Sequence, residues 1–315
     1  MTRVGVVDLG TNSTRLLVAD VEDGHVEELE RRLAITRLGE SVDARRQLLP
    51  TAIARVRNVL ADYRREIERL GADRTLAFAT SAVWDAENGE AFLGEIEWSY
   101  GFATQLLGGD EEGLLTFRGV TAGREVDART LVLDVGGGST ELVLGGPGGV
   151  DFHTSLDLGC VRLTERFFHD DPPTAAQLES CASHVRSLLP HGVDPAAAIG
   201  VAGTVTTLAT LDLGLDEEDP ELVHGHVLSS DVVERQFERL AALPVARIRA
   251  ERGIHPERAP VIVAGALVVA ETLRRYGLAG LEVSERDIMH GAALAAAGLP
   301  EPAEGDAPPG AYTCC

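Results

Sequence analysis

The chain has 315 residues, which is more than one typical domain holds and fits two domains of ordinary size. Hydrophobic residues make up 44% of the chain, so each half can bury a core. The net charge of −22 disfavours nucleic acid and membrane surfaces as partners, and it disfavours a polyanionic ligand unless bound cations reverse the local field.

Neither a secretory leader nor a membrane span is predicted. Asp8 interrupts the apolar N-terminal run too early for a signal peptide, and the longest apolar stretch, residues 261–270, is about half as long as a membrane-spanning helix. The four cysteines show no zinc-type spacing, which favours reduced thiols. We therefore expect a cytoplasmic protein, with residues 301–315, which end in Cys314–Cys315, as a disordered tail.

The first half is predicted to contain three strands followed by alternating helices and strands. A hairpin over residues 4–19 precedes a third strand at 25–33. Apolar residues then recur at three- and four-residue steps from Ile53 to Leu70, which predicts an amphipathic helix that ends at Gly71. The remaining predicted elements are a strand at 75–80, a helix at 85–95, a strand at 102–107 and a helix at 110–120.

The second half is predicted to repeat this order. Its elements are a hairpin over 131–144, a strand at 149–155, helices at 161–169 and 174–189, a strand at 197–202, a helix from 206, and helices at 231–243, 261–272 and 285–297. Glycines and a charged run separate the halves. We therefore predict one domain over residues 1–122 and a second over 123–300.

An internal repeat links the two hairpins. Residues 8–18 read DLGTNSTRLLV and residues 134–144 read DVGGGSTELVL. Each copy lies between two apolar runs, which predicts two strands joined by a tight turn with small polar residues at its tip. Two unrelated hairpins are the alternative. If the repeat reflects two similar domains, the glycine turns are expected to face an interdomain cleft, where a ligand would bind.

The tips of both hairpins are candidate phosphate sites. Consecutive backbone N–H groups at a glycine turn bind phosphate oxygens without obstruction by side chains. An ordinary turn is the alternative, but two matching copies favour phosphate binding. The candidate contacts are Gly136, Gly137, Gly138 and Ser139 on the second hairpin and Thr11, Asn12 and Ser13 on the first.

A third candidate anion site lies at residues 200–207, which read GVAGTVTT. A strand end is predicted to turn through Gly203 and Thr204 into a helix N-terminus, where backbone N–H groups bind anions. A capping turn with threonine at the N-cap explains the same residues nearly as well.

Several acids lie beside these turns. Asp134 and Glu141, with Asp8 as a further candidate, would repel phosphate unless a cation such as Mg²⁺ were held between the carboxylates and the phosphate oxygens. Hydrogen bonding within the hairpin is the alternative, and it is favoured more at Asp8 than at Asp134. Glu111 and Glu112 begin a predicted helix, where acids commonly complement the helix dipole.

The chain resembles the exopolyphosphatase and guanosine pentaphosphate phosphohydrolase (Ppx/GppA) family of the actin-like superfamily, from Val4 to about Leu299. The resemblance rests on these segments in the family's order: DLGTNSTRLLV (8–18), ATSAVWDAEN (79–88), DVGGGSTE (134–141), GVAGTVTTLA (200–209), HGHVLS (224–229), HPERAPVIVAGA (255–266) and VSERDIMHGAAL (283–294). It implies an α/β fold of two actin-like (ribonuclease H-like) domains, as in the short members of the family.

The resemblance also implies roles. Glu112 falls where the family has its catalytic glutamate, which would deprotonate the attacking water. Asp134 and Glu141 fall on metal-associated acids, and Asn12 with Gly137–Ser139 falls on phosphate contacts. The implied reaction is removal of a terminal phosphate from polyphosphate, and further from guanosine pentaphosphate or nucleoside polyphosphates, with Mg²⁺ or another divalent cation. Neither a nucleic acid nor a membrane is an expected partner, and a homodimer is left open.

Three positions depart from the family pattern. Trp84 stands where the family usually has an arginine that can clamp phosphate, which tryptophan cannot do. Pro260 and His290 each replace an acid. Two alternatives stay open. The first is a polyphosphate or alarmone sensor without turnover, motivated by Trp84. The second is an ATP-using member of the superfamily, such as a sugar kinase or a chaperone ATPase, against which the order of the motifs and the position of Glu112 argue.

Overall fold

The computed structural model describes residues 1–124, 126 and 128–299 of the chain. They form two compact units. Unit 1 comprises Met1–Gly123 and the segment that begins at Ile288, and unit 2 comprises Arg124–Asp287. The predicted tail, 301–315, lies outside the described residues.

The secondary structure follows the predicted alternation. From the N-terminus to Gly123 the elements are β1 (Thr2–Leu9), β2 (Ser13–Glu22), β3 (His25–Ile35), α1 (Val42–Arg45), α2 (Pro50–Leu70), β4 (Arg74–Ala79), α3 (Ser81–Trp84), α4 (Gly89–Tyr100), β5 (Ala103–Leu106) and α5 (Gly109–Thr121). They continue with β6 (Thr130–Val135), β7 (Thr140–Gly146), β8 (Gly149–Leu156), α6 (Cys160–Phe167), α7 (Ala175–Leu188), β9 (Ala197–Val201), α8 (Ala202–Asp212), α9 (Pro220–Val223), β10 (Val227–Ser229), α10 (Ser230–Ala241), α11 (Val245–Ile248), α12 (Ile262–Tyr276), β11 (Gly280–Val283) and α13 (Ile288–Ala296).

Each unit is built on one mixed sheet. The strand order is β3-β2-β1-β4-β5 in unit 1 and β10-β11-β9-β6-β7-β8 in unit 2. In unit 1, β1 pairs antiparallel with β2 and parallel with β4, and in unit 2, β6 pairs antiparallel with β7 and parallel with β9. The two sheets therefore repeat one arrangement around the two hairpins, which confirms the predicted α/β class with two similar domains.

Helix α2 shows how the sequence pattern becomes packing. Val56, Leu60, Tyr63 and Ile67 recur at three- and four-residue steps, so they lie on one helix face, and all four are buried in the core of unit 1. The helix ends at Gly71, whose φ of 70° is the left-handed conformation that glycine adopts without a steric penalty. Both features confirm the predicted helix.

The last helix corrects the predicted domain limits. The buried face of α13 belongs to the same core cluster as Val4, Val6 and Phe78 of unit 1. A Cβ atom at Gly291 would lie 2.0 Å from the carbonyl oxygen of Leu115, so α13 packs closely on α5. The second predicted domain, 123–300, therefore ends too late. An apolar helix face indicates burial, but it does not indicate which sheet covers it.

Two further differences are local. The predicted helix at 85–95 begins only at Gly89, because the side chain of Asn88 pairs with both the N–H and the C=O of Leu48 and turns the chain there. Strands β10 and β11 were not predicted, since three or four residues are too few to show a periodicity. Among the described residues, no helix combines the length and apolar character that crossing a membrane requires.

Candidate active site

In unit 1 the predicted site residues gather at one edge of the sheet. Strands β1, β4 and β5 are parallel, and Leu9, Ala79 and Leu106 are successive neighbours across them. The carboxyl ends of the three strands therefore meet at one edge, which is where ligands bind in open α/β sheets. This edge brings together the first hairpin tip, the start of α3 and the start of α5, where Glu112 lies. The outer two strands are about 10 Å apart, two strand spacings.

Unit 2 gathers its own set in the same way. Asp134 of β6 is the neighbour of Val201 in the parallel strand β9, so the tip of the second hairpin and the start of α8 follow adjacent strand ends. The structure thus brings Gly136–Ser139 and the pair Gly203–Thr204 to one edge, where the strands that precede them are about one strand spacing (about 5 Å) apart.

The tip of the second hairpin presents three backbone amides in one direction. The carbonyl oxygens of Gly136 and Gly137 accept hydrogen bonds from the amides of Cys160 and Val161, both at 2.9 Å. The carbonyl oxygen of Gly138 accepts one from the Arg162 Nε atom at 2.8 Å. In a trans peptide the C=O and the following N–H point in opposite directions. The amides of Gly137, Gly138 and Ser139 therefore point away from α6, which is the arrangement of a phosphate nest.

The first hairpin is built in the same way. Its turn is closed by a hydrogen bond from the Gly10 amide to the Ser13 oxygen at 3.0 Å, the same length as the Gly136–Ser139 bond of the second hairpin. The amide of Gly39 donates to the carbonyl oxygen of Thr11 at 2.8 Å, and that of Arg37 donates to the carbonyl oxygen of Asn12 at 2.9 Å. The amides of Asn12 and Ser13 consequently point away from this segment.

The charge at the base of the two hairpins differs. In the first, Arg15 is the cross-strand neighbour of Asp8, and its Nη2 atom lies 2.7 Å from the Asp8 carboxylate. In the second, the equivalent neighbour of Asp134 is Glu141. Both of these acids are buried, with 7% and 1% of their surface exposed. The first hairpin thus has an ion pair where the second has two acids directly opposite each other, an arrangement that destabilises a sheet unless the charge is neutralised.

Glu141 is the more deeply buried of the two opposing acids. Its Oε1 atom accepts a hydrogen bond from the Ser155 hydroxyl at 2.7 Å, but its Oε2 atom is buried and has no hydrogen-bond partner among the described residues. Burial, together with repulsion from Asp134, raises the pKa of Glu141 to about 8. Without a bound cation, the carboxyl group would therefore retain its proton at neutral pH.

These residues fit a divalent cation. Carboxylate oxygens are the ligands that Mg²⁺ prefers, and Mg²⁺ is commonly held by one or two protein carboxylates together with waters and substrate phosphates. The unpartnered Oε2 atom of Glu141 and the adjacent carboxylate of Asp134 match that pattern. Within residues 1–124 and 128–299, no cluster of three or more His, Cys, Asp or Glu side chains is placed to hold a metal by itself.

Helix α8, which begins within the third motif, has a strained first residue. Ala202 has φ of 68°, which is rare for a residue with a side chain and often marks a functional turn. Arg258 packs against Gly203, where a Cβ atom would lie 2.7 Å from its guanidinium carbon, and it donates to the Thr207 hydroxyl at 3.0 Å. Thr204 is 6% exposed. Gly203, which has no side chain, and Thr204, whose side chain is buried, can therefore offer a ligand only their backbone N–H groups.

Glu111 and Glu112 occupy different positions at the start of α5. The carboxylate of Glu111 accepts a hydrogen bond from the Gly108 amide at 3.0 Å and so caps the helix. Glu112 is half-buried, and its own amide donates to the Gly108 oxygen at 2.9 Å. The buried Gly113 and Thr116 hold this turn against the unit. The catalytic role of Glu112 stays a prediction.

Two supporting glycines were missed by sequence reasoning. A Cβ atom at Gly159 would lie 2.2 Å from both the carbonyl carbon and the oxygen of Gly137, and one at Gly39 would lie 2.3 Å from the Thr11 Cγ2 atom. Each glycine follows the third strand of its sheet and lets the next segment contact a hairpin tip. The signal was present, because Leu38–Gly39 and Leu158–Gly159 extend the repeat by one more matching pair.

The comparisons with known proteins agree over nearly the whole chain. The profile of the Ppx/GppA phosphatase family matches residues 17–297. Exopolyphosphatase 2 of Mycobacterium tuberculosis is 38% identical in an alignment that is 319 residues long with its gaps and covers 95% of this chain and 99% of that protein. A solved exopolyphosphatase-like protein has a TM-score of 0.88 at 34% identity, covering 93% of this chain and 98% of the other.

A second solved structure, the Ppx/GppA enzyme of Aquifex aeolicus, has a TM-score of 0.81 at 31% identity and covers 93% of this chain and 99% of that one. The profile match at residues 17–297 includes the second hairpin, the start of α5 and the start of α8. On the profile match, the identity and the shared fold, the chain belongs to the Ppx/GppA phosphatase family.

Proposed function

We propose that this chain is an exopolyphosphatase, a hydrolase that releases the terminal phosphate of inorganic polyphosphate, with guanosine pentaphosphate and other nucleoside polyphosphates as further substrates. The observation that carries the proposal is the second hairpin, where three parallel amides lie beside two buried carboxylates. That combination suits a phosphate group bound together with a cation. The Mycobacterium tuberculosis relative, 38% identical, is itself named an exopolyphosphatase.

Phosphate binding is assigned to backbone groups. The amides of Gly137, Gly138 and Ser139 would hold phosphate oxygens, with Gly136 closing the turn. The amides of Gly203 and Thr204 add the N-terminus of an eleven-residue helix, α8, at the same sheet edge. Thr11, Asn12 and Ser13 form the matching set of unit 1. Because these donors are held by secondary structure, they need no reorganisation when the transition state develops charge.

The cation is assigned to Asp134 and Glu141. Asp8 already has a positive partner in Arg15, so we place the cation at the second hairpin rather than at the first. Mg²⁺ bound there would neutralise the negative charge of the phosphates and of the two acids. This assignment gives the unpartnered Glu141 oxygen a role, and it explains how a protein with a net charge of −22 tolerates a polyanion.

Glu112 is assigned as the general base. Its carboxylate would accept a proton from a water molecule whose oxygen attacks the terminal phosphorus, while the bond from that phosphorus to the bridging oxygen breaks and the shortened chain leaves. Phosphoryl transfer depends mainly on positioning and charge stabilisation, so one base with fixed donors and one cation is a sufficient set of groups.

The decisive experiment compares phosphate release from polyphosphate by native protein, Glu112→Gln and Glu111→Gln, with Mg²⁺ and with a chelator. Loss of a general base lowers turnover by about a hundredfold to ten-thousandfold, so we expect this loss in Glu112→Gln with polyphosphate binding retained. Glu111→Gln removes the neighbouring negative charge but keeps an acceptor oxygen for the Gly108 amide, so it is the matched control, with turnover near the native value.

Equal loss in both variants would show that turnover depends on the charge or structure of the helix start in general and not on the carboxylate of Glu112 in particular. If native protein binds polyphosphate but releases no phosphate with any divalent cation, the chain is a sensor and the proposal is wrong.

A further inference from the structure

Trp84 is placed at the unit 1 edge but has no role in the proposed reaction. It exposes 62% of its surface, although a tryptophan in a globular protein is usually well buried. Inorganic polyphosphate has no apolar surface that an indole ring could cover. An exposed tryptophan beside a phosphate site therefore needs a different kind of contact.

The geometry of α3 directs Trp84 toward the hairpin. The helix spans Ser81–Trp84 and follows β4, and its two middle residues, Ala82 and Val83, are buried. Residues three apart lie on the same helix face with about 5–6 Å between their Cβ atoms. Trp84 thus shares a face with Ser81, whose hydroxyl lies 2.9 Å from the Thr11 hydroxyl at the tip of the first hairpin.

An arginine pairs with the residue that follows Trp84 in the chain. Arg46 has a side chain that is 55% exposed, and its Nη1 atom lies 3.4 Å from the carboxylate of Asp85, the residue next to Trp84. Its carbonyl oxygen also accepts a hydrogen bond from the Glu87 amide at 2.8 Å, so the backbone of Arg46 is fixed to the segment after α3. Trp84 therefore lies in the chain between Ser81, which contacts the first hairpin tip, and Asp85, which pairs with an exposed arginine.

We propose that Trp84 is a nucleobase-stacking residue, which makes this chain prefer nucleoside polyphosphates to inorganic polyphosphates of equal phosphate number. This inference rests on the proposed function. Every base has a flat π-face, and stacking on an aromatic side chain needs no hydrogen-bond pattern, so a single exposed indole is sufficient. The guanidinium of Arg46 would favour the anionic side of such a ligand next to the base.

The first test compares the KM values of two matched substrates. Adenosine 5′-tetraphosphate and inorganic tetraphosphate carry the same number of phosphates and differ by the nucleoside. Base–aromatic stacking corresponds to a change in affinity of about five- to a hundredfold. We expect Trp84→Ala to raise the ratio of KM for adenosine tetraphosphate to KM for inorganic tetraphosphate by about this factor.

The second tryptophan is the matched control. Trp98 lies on α4 of the same unit and is 64% exposed, so it differs from Trp84 in location but not in exposure. Trp98→Ala should leave both KM values near those of the native protein. Because both side chains are exposed, neither substitution should impair folding, and equal thermal midpoints of the two variants check this.

A binding measurement separates this inference from catalysis. The chain has two tryptophans, so Trp98→Phe leaves Trp84 as its single indole reporter. We expect adenosine tetraphosphate to quench the fluorescence of Trp84 saturably. Inorganic tetraphosphate should change that fluorescence by less than about a tenth. The mirror variant, Trp84→Phe, reports from Trp98 and should show no saturable quenching.

The outcomes are distinguishable. If no substrate is hydrolysed but the quenching is nucleoside-specific, the proposed function is wrong and the stacking residue stands. If hydrolysis proceeds and Trp84→Ala changes both KM values equally, or changes neither, the stacking role is refuted while the proposed function stands. Quenching by inorganic tetraphosphate to the same extent would also refute it.

Discussion

One exchange of charge separates the two otherwise matching hairpins. Position 15 is an arginine and position 141, its equivalent in the repeat, is a glutamate. The arginine neutralises Asp8 within the first hairpin. The glutamate instead faces Asp134 across the strands in a buried environment, so neutralisation must come from a proton or from a cation. A single residue therefore determines which hairpin has its acid paired with an arginine and which has two acids opposite each other.

The raised pKa of Glu141 predicts a pH-dependent stability in the metal-free protein. The folded-state pKa of about 8 lies above the ordinary value of 4.5, so the folded state retains a proton that the unfolded state releases. The stabilisation is complete below about 4.5 and is lost as the pH rises to about 8. We expect the thermal midpoint in chelator to fall across this range by more in native protein than in Glu141→Gln.

Added Mg²⁺ should reverse this trend. A cation favours the ionised carboxylate, so the increase in thermal midpoint on adding Mg²⁺ should be larger at pH 8 than at pH 5, where protons compete. Glu141→Gln should lose most of that increase, and Glu111→Gln, which alters an exposed acid of unit 1, should keep it. An increase that is independent of pH, or that survives in Glu141→Gln, would contradict the assignment of the cation to this acid.

At the scale of elements, the orientation of each hairpin tip depends on the segment that follows the third strand of its sheet. The N-terminus of α6 binds the carbonyl oxygens of the second hairpin, and residues 36–39 bind those of the first. These contacts orient the free amides outward. Gly159 and Gly39 are what allow the close approach, since a Cβ atom at either position would overlap the hairpin tip.

Gly159→Ala should therefore displace the second hairpin tip. Its Cβ atom would lie 2.2 Å from backbone atoms of Gly137, which cannot move as a flexible side chain could. A displacement of about 1 Å at a catalytic site can lower the rate by about a hundredfold, and we expect a loss of that order in phosphate release. Steady-state kinetics with polyphosphate would measure it.

Gly148→Ala is the matched control for this experiment. Gly148 lies in the same unit, at the turn between β7 and β8, and a Cβ atom there would meet no atom within 4 Å. We expect native kinetics from this variant. Native kinetics from Gly159→Ala as well would show that the tip tolerates the displacement or that it does not contact the phosphate.

At the scale of the whole molecule, the chain leaves unit 1 at Gly123 and returns to it at Ile288. Helix α13 buries Ile288, Met289 and the alanines of its inner face in the core that also contains Phe78. The fold of unit 1 is therefore complete only after the whole of unit 2 has been synthesised, and long-range contacts of this kind slow folding.

Gly291→Ala tests how tightly α13 closes unit 1. The added methyl group would lie 2.0 Å from the Leu115 oxygen. Overpacking of this kind destabilises a fold by about 1–3 kcal/mol. Replacing a helical glycine by alanine stabilises the helix by about 0.5–1 kcal/mol, which offsets only part of that cost. We expect a decrease of roughly this difference in the free energy of unfolding, measured by urea denaturation. Gly298→Ala, where the nearest atom is 3.4 Å away, should stay within about 0.5 kcal/mol of native.

The sequence by itself determined the two hairpins, the amphipathic helix α2, the α/β class and the family, because a repeat of strand, glycine turn and strand and a three- to four-residue periodicity are local properties. It also singled out Gly137–Ser139, Asp134 and Glu141, whose roles stay predictions. Only the tertiary structure decided that α13 belongs to unit 1, that Gly39 and Gly159 support the turns, and that Asp8 pairs with an arginine while Glu141 is buried opposite another acid. These features depend on contacts between residues far apart in the chain and on burial, and periodicity shows which face of an element is buried but not against what.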